Sequence, residues 1–181
     1  MNVPDSAIVR RILAGETEAF ASLVDRYHAR ALKLATGLLG DSDDAEDAVQ
    51  EAFVRAYRAL GSYRERDRFG AWLLHIVVNQ CRTHRARQGR FSGSAGSSVE
   101  SIVAADGTAQ HAELAAEREE LAYALAQLAP DQREAVVLRF SGGLSYDEMA
   151  MATGVSVSAL KMRVQRACAR LRDLLTEGLH A

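Results

Sequence analysis

Residues 89–110 read GRFSGSAGSSVESIVAADGTAQ, and this stretch limits the possible folds more than any other. It is rich in Gly, Ser and Ala and holds no sustained periodicity, so it reads as a linker. A flexible chain of that length has an end-to-end distance of roughly 25 Å. On either side, apolar residues recur at helical spacing. The only prolines are Pro4 and Pro130, and strand-like alternation is absent. The expectation is an all-α chain of two small helical domains joined by a flexible linker. The boundaries fall at 1–88, 89–111 and 112–181.

Composition removes several alternatives. The chain has 181 residues, 48% of them apolar, with 22 Lys and Arg against 24 Asp and Glu. That is too apolar and too balanced for a disordered chain. No run of about 18 apolar residues exists to span a membrane. Residues 1–14 hold neither a long apolar core nor a small-residue cleavage site, so secretion is not expected. Two cysteines, Cys81 and Cys168, cannot make a disulfide framework, which fits a reduced, cytoplasmic location.

The formal net charge of -2 looks unsuited to nucleic acid. The sum hides alternating blocks, however. Residues 1–60 carry 7 basic and 10 acidic groups, and 61–90 carry 7 and 2. Residues 91–134 carry 2 and 8, and 135–181 carry 6 and 4. Near-neutrality therefore does not exclude DNA.

In the first domain, Phe20, Leu23, Val24, Tyr27, Leu34 and Leu38 mark a helix over about 17–39, ended by Gly40. A second helix starts in DSDDAED, where Asp43 and Glu46 have capping-box spacing. Its inner face is Ala45, Ala48, Val49, Ala52, Phe53, Ala56, Tyr57 and Leu60. A polar turn, GSYRERDRFG, leads to a helix over about 71–87. The second domain predicts helices over 112–128 and 131–140, then a helix-turn-helix.

That motif is residues 144–175, LSYDEMAMATGVSVSALKMRVQRACARLRDLL. Ala150 is small where two helices must touch, Gly154 can end the first helix left-handed, and Ser156 can cap the second. On a helical wheel Val157, Leu160, Val164, Ala167, Leu171, Leu174 and Leu175 share one arc. Ser158, Lys161, Met162, Gln165 and Arg166 lie opposite. From Ser156 to Arg172 there are five basic residues and no acid. Such a helix can enter a major groove and reach base edges, with Arg163 and Arg170 suited to phosphates. A solvated basic face is the plainer alternative.

The helix at 71–87 divides differently. Leu73, Ile76, Val77, Gln80, Cys81 and His84 cluster on one arc, and Trp72, His75, Asn79 and Arg82 on the other. Tyr63, Arg64, Arg66, Arg68 and Phe69 lie upstream, and Arg85, Arg87 and Arg90 downstream. Aromatics interleaved with arginines suit single-stranded DNA, because bases stack on flat rings and the backbone needs cations. Trp72 and Phe69 could equally be core. Asp44, Asp47, Gln50 and Glu51 stand near the start of the second helix. From physics alone they read as helix-dipole and solubility residues.

Other chemistry finds little support. Cys81 and His84 are three apart, but no partner pair with zinc spacing follows, so no metal is expected. No phosphate-binding glycine loop, nucleophile–base pair or carboxylate constellation points to an enzyme, and no cofactor is expected. A stand-alone helix-turn-helix regulator explains 144–175 but leaves 61–90 idle. A protein-binding helical adaptor leaves the acid-free helix unexplained.

Four motifs together carry a resemblance. DDAEDAVQEAFVRAYRAL, FGAWLLHIVVNQCRTHRAR, LAPDQREAVVLRFSGGLSYDEMA and GVSVSALKMRVQRACARLR resemble, in order and spacing, the extracytoplasmic-function sigma factors of bacteria. The resemblance covers about 17–177. It implies a dissociable subunit that binds the RNA polymerase core and directs it to promoter DNA.

The resemblance also implies roles for particular residues. Asp44, Asp47, Gln50 and Glu51 would bind the core, reversing the plain reading of that face. Tyr63, Arg64, Phe69, Trp72, Asn79, Arg82 and Arg85 would capture the melted minus-ten element. Ser158, Lys161, Met162, Arg163, Gln165, Arg166 and Arg170 would meet the minus-thirty-five element. The linker would thread near the active-site and RNA-exit channels of the polymerase. The recognition helix departs from the usual pattern at Ser158, Ala159 and Leu160, at Met162 and Gln165, and at Cys168. Relatives are usually held inactive by an anti-sigma protein. No further domain is seen after Leu175, so control is expected from a separate chain.

Overall fold

A computed structural model describes residues 3–64, 68–91 and 109–178. Among these residues there are eight α-helices and no strand. Helix α1 (Asp5–Leu13) precedes a short 3-10 turn (Thr17–Ala19) and α2 (Phe20–Leu39). Gly40 ends α2 at φ 82°, with its N–H donating to the Thr36 carbonyl at 2.8 Å. Only glycine takes that left-handed position without strain.

Helix α3 (Ser42–Ala59) is capped by Asp41, whose carboxylate accepts from the Asp44 N–H at 2.9 Å. The expected Asp43–Glu46 capping box is therefore displaced. The helix begins earlier, at the first acid that can accept a free N–H. Helix α4 (Phe69–Phe91) is longer than 71–87 at both ends. Helix α5 (Ala109–Ala126) starts within the stretch read as linker. Residues 92–108, the bulk of that linker, lie outside the described residues.

Pro130 opens α6 (Pro130–Val136), where its missing N–H costs nothing. The expected helix over 131–140 does not stay α. Its last turn widens into a π-turn (Val137–Ser141). The wider turn brings the Gly142 and Gly143 carbonyls to Arg30 of α2, at 2.8 and 3.1 Å. A Cβ at Gly142 would stand 2.9 Å from the Leu138 carbonyl and 3.1 Å from Leu34. Glycine is required there by close approach.

Helix α7 (Tyr146–Thr153) carries a complete capping box between Ser145 and Glu148. Helix α8 (Val157–Gly178) is the last helix among the described residues.

The two halves pack on each other. Leu23, Leu34, Leu74 and Val78 of the first half share one buried core with Leu138, Leu144, Met149 and Leu160 of the second. A smaller cluster of Leu128, Val136 and Ala167 ties α5, α6 and α8 together.

Candidate nucleic-acid interface

The helix-turn-helix forms as its sequence dictates. Gly154 sits at φ 73°, and its N–H donates to the Ala150 carbonyl at 2.9 Å. The Ser156 hydroxyl accepts from the Ala159 N–H at 3.3 Å, capping α8. Leu160, Val164 and Ala167 are buried, while Val157, Leu171, Leu174 and Leu175 are half-buried. Ser158, Lys161, Met162, Gln165, Arg166 and Arg170 are exposed. The buried and exposed arcs are those the wheel predicts.

Two residues on this face have neighbours that sequence did not suggest. Arg163 is half-buried and pairs with Asp131 at 3.2 Å, so it braces α8 on α6. The Lys161 ammonium stands 5.7 Å from the Tyr146 ring centroid, and the Arg139 guanidinium 5.2 Å from it. Tyr146 thereby seats two cations beside the basic face.

The second surface is built on α4 and the turn before it. Tyr63, Phe69 and Trp72 form an aromatic cluster. Ring centroids are 5.0 Å apart for Tyr63–Trp72, 5.5 Å for Phe69–Trp72 and 5.8 Å for Tyr63–Phe69. Phe69 is 0% exposed and also packs on Tyr27. It cannot stack on a base, and its part is to support Trp72 from beneath. Trp72 is half-buried, with Tyr63 beside it. Arg64, Asn79, Arg82 and Arg85 are exposed. The Arg64 guanidinium donates to the Gly61 carbonyl at 2.7 Å. Asn79 and Arg82 both have partners within the chain, His75 and Glu134. Arg66 lies outside the described residues.

Behind these groups the helix is inert. Cys81 is buried, and burial pushes its thiol up to about 12. It is neither a metal ligand nor a nucleophile in that state.

The third surface lies on α3. Asp47, Gln50 and Glu51 are exposed side by side, with Glu51 paired to Arg55 at 3.1 Å. Asp44 differs. Its carboxylate meets His84 of α4 at 2.9 Å and accepts from the Gln88 amide, so it fastens α3 to α4. Val54 is 39% exposed one turn beyond Gln50. It is an apolar member of this face that sequence reading omitted, although its i+4 spacing from Gln50 was available as a signal. Tyr57, expected inside, is 41% exposed and edges an apolar groove with Phe20, Val24 and Phe53.

The geometry thus offers one basic helix face, one aromatic and basic face, and one acidic face. Residues 23–91 match the family described as Sigma-70 region 2, and residues 118–171 match Sigma-70, region 4. The RNA polymerase sigma-H factor of Pseudomonas aeruginosa is 33% identical over 174 residues, 90% of this chain and 89% of that protein. The ECF RNA polymerase sigma-E factor of Escherichia coli is also 33% identical, over 90% of each chain. This chain belongs to the extracytoplasmic-function branch of the sigma-70 family.

Region 2 of this sigma factor takes in α2 to α4. Region 4 takes in the second half of α5 and runs into α8. Solved relatives match most of the chain. CnrH, in complex with the cytosolic domain of CnrY, matches with a TM-score of 0.69 at 29% identity, covering 96% of this chain and 97% of that one. RpoE of Bartonella quintana, in complex with the anti-sigma factor NepR, matches with a TM-score of 0.67 at 31% identity, covering 81% and 90%. As a sigma factor, the chain directs RNA polymerase to promoters. Among the described residues, no helix is long and apolar enough to cross a membrane.

Proposed function

We propose that this sigma factor divides promoter reading between its two halves. The outer face of α8 reads the minus-thirty-five duplex through Lys161, Met162, Gln165 and Arg166, with Ser158 and Arg170 at its margins. The observation that carries this is the split of α8 into a docked apolar arc and an exposed arc that is free of acids from Val157 to Arg172. Gln165 has the donor and acceptor pair that matches adenine. Arg166 can pair with guanine in the same way.

The melted minus-ten strand is met by Trp72, Tyr63, Asn79, Arg64, Arg82 and Arg85. A half-buried ring with arginines around it suits an unpaired base and its phosphates. Strand separation is then driven by trapping unpaired bases, without ATP. The chain acts as a targeting subunit of the polymerase and not as an enzyme. Asp47, Gln50 and Glu51 supply an acidic, amide-bearing face for the polymerase core, with Val54 as its apolar anchor. Residues 1–88 and 112–181 are the two working units.

An anti-sigma protein is a further partner, supported by the solved relative captured with NepR. The place of work is the cytoplasm, where polymerase and promoters are. Run-off transcription with core polymerase on a genomic promoter library tests the whole reading. Specific starts are expected only when core and sigma are both present. Tight, sequence-specific duplex binding by the free chain would favour a stand-alone regulator.

A further inference from the structure

Helix α1 precedes the residues matched to region 2, yet its first residue is linked to the aromatic cluster of α4. That residue is Asp5, whose side chain is 14% exposed. Its carboxylate pairs with Arg26 and accepts from the Tyr27 hydroxyl, both on α2. The Arg26 guanidinium also donates to the Val3 carbonyl at 2.8 Å, so α1 is fastened to α2 without help from Tyr27. The Tyr27 bond fixes something else, the direction of a ring.

Beyond its hydroxyl, the Tyr27 ring lies on the first turn of α4. Its centroid is 5.6 Å from that of Phe69. A Cβ at Gly70 would stand 2.7 Å from the Tyr27 Cε1 and 3.2 Å from its hydroxyl oxygen. No side chain fits between the ring and the helix there. Phe69 in turn bears on Trp72 at 5.5 Å and on Tyr63 at 5.8 Å. Tyr63 is held as well, since its hydroxyl accepts from the Arg68 N–H at 3.2 Å. A continuous path of contacts thus runs from Asp5 through Tyr27 and Phe69 to Trp72.

We infer that Asp5 and Tyr27 are positioning residues for the melted strand: the carboxylate holds the Tyr27 ring against Phe69 and Gly70, and that wedge sets the pose of Trp72. This rests on the assignment of Trp72 to strand binding made above. Ring contacts alone are weakly directional, because offset and edge-on arrangements are both favourable. A charge-assisted hydrogen bond is directional, and it secures the far end of the stack. Burial and the Asp5 carboxylate both raise the Tyr27 phenol above its ordinary value, so it remains a donor at neutral pH. A Trp72 that wanders among poses is competent only part of the time. Its apparent affinity for an unpaired base falls by that fraction. Asp5 and Tyr27 need not touch DNA, because both act through Trp72.

Trp72 is the one tryptophan of the chain, so its fluorescence reports this site alone. In the free full-length chain, Tyr27→Phe and Asp5→Ala should each shift the emission to longer wavelength and raise acrylamide quenching. Asp5→Asn, whose amide can still bond the hydroxyl, should lie between Asp5→Ala and wild type. The binding probes are a fluorescent minus-ten single strand and a minus-thirty-five duplex from a promoter recovered in the run-off screen. In complex with the polymerase core, Tyr27→Phe and Asp5→Ala should bind the single strand about three- to tenfold more weakly than wild type, as expected when one hydrogen bond stops selecting the pose. Affinity for core and for the duplex should stay unchanged, which a general loosening of the chain would not allow. In a Trp72→Ala background, Tyr27→Phe should cost nothing further, since residues that act through one another are not additive.

Unchanged Trp72 emission in both variants overturns the brace. So does full strand affinity in both, or a Tyr27→Phe loss that adds in full to that of Trp72→Ala. A Trp72→Ala complex that binds the strand as tightly as wild type would instead sink the strand-reading assignment, and the brace with it. Asp5→Ala trims a side chain at a helix end and keeps the idea falsifiable if Tyr27→Phe does not fold.

Discussion

Trp72 and Phe69 lie three residues apart on α4, yet only Trp72 has surface to offer a base. Wheel position could not separate them, because both are aromatic and both flank a basic turn. What decides is Tyr27, which reaches across from α2 to cover Phe69. A contact between helices is not written in the spacing of one helix. Arg166 is the opposite case, since its exposure follows from periodicity alone. Arg166→Ala should cost about 1–3 kcal/mol in recognition of the upstream element and relax preference at one base position. A footprint and a base-substitution series read this directly, and an unchanged preference moves base reading to another residue. Cys81 allows a pH test. Burial raises its thiol from 9.0 to about 12, so the folded chain keeps a proton that the unfolded chain releases. Its stabilisation is complete below about pH 9 and is lost as pH climbs towards 12. Urea midpoints should fall more steeply between pH 9 and 11 in wild type than in Cys81→Ala. Equal slopes would mean that the thiol titrates freely.

Helices were legible where the pattern was long and the ends were marked. Gly40 and Gly154 end their helices where sequence puts them. The α3 cap was misplaced because DSDDAED offers several acids in a row, and only the backbone dihedrals select Asp41. The π-turn at 137–141 was invisible, since it answers to Arg30 more than a hundred residues earlier. Helix α3 also shows how one face divides its labour. Asp44 is spent on His84 and Gln88, whereas Asp47, Gln50 and Glu51 are exposed. Replacing Gln50 and Glu51 with Ala should therefore weaken core binding by about tenfold or more, as expected for truncating central interface residues. Circular dichroism should stay unchanged, because both positions are exposed and Ala is a good helix former. Replacing Asp44 should instead lower the melting temperature by loosening α3 from α4. Normal core affinity in the Gln50 and Glu51 variant would return those residues to helix-dipole and solubility roles.

For the whole molecule, sequence gives two helical units and a linker but not how the units meet. Their contact is made by single residues from distant stretches, such as Arg82 with Glu134 and His75 with Ala152, and no local pattern pairs them. Alternating charge blocks are the one hint. The basic block at 61–90 is met by an acid of the block at 91–134. This arrangement bears on promoter spacing. A Gly- and Ser-rich sequence between the two DNA-reading faces gives no reason to expect a fixed distance between them. Spacing discrimination is then expected to come from the polymerase. B-DNA turns once in about 10–10.5 base pairs, so inserting five base pairs puts the two elements on opposite sides of the duplex. With core present, that insertion should reduce run-off by about tenfold or more, since only one of two linked contacts can be made. The free chain should bind the original and lengthened duplexes with equal, weak affinity. If the free chain distinguishes them as sharply as the complex does, the separation is set within the sigma chain, and the linker is stiffer than its Gly and Ser content implies.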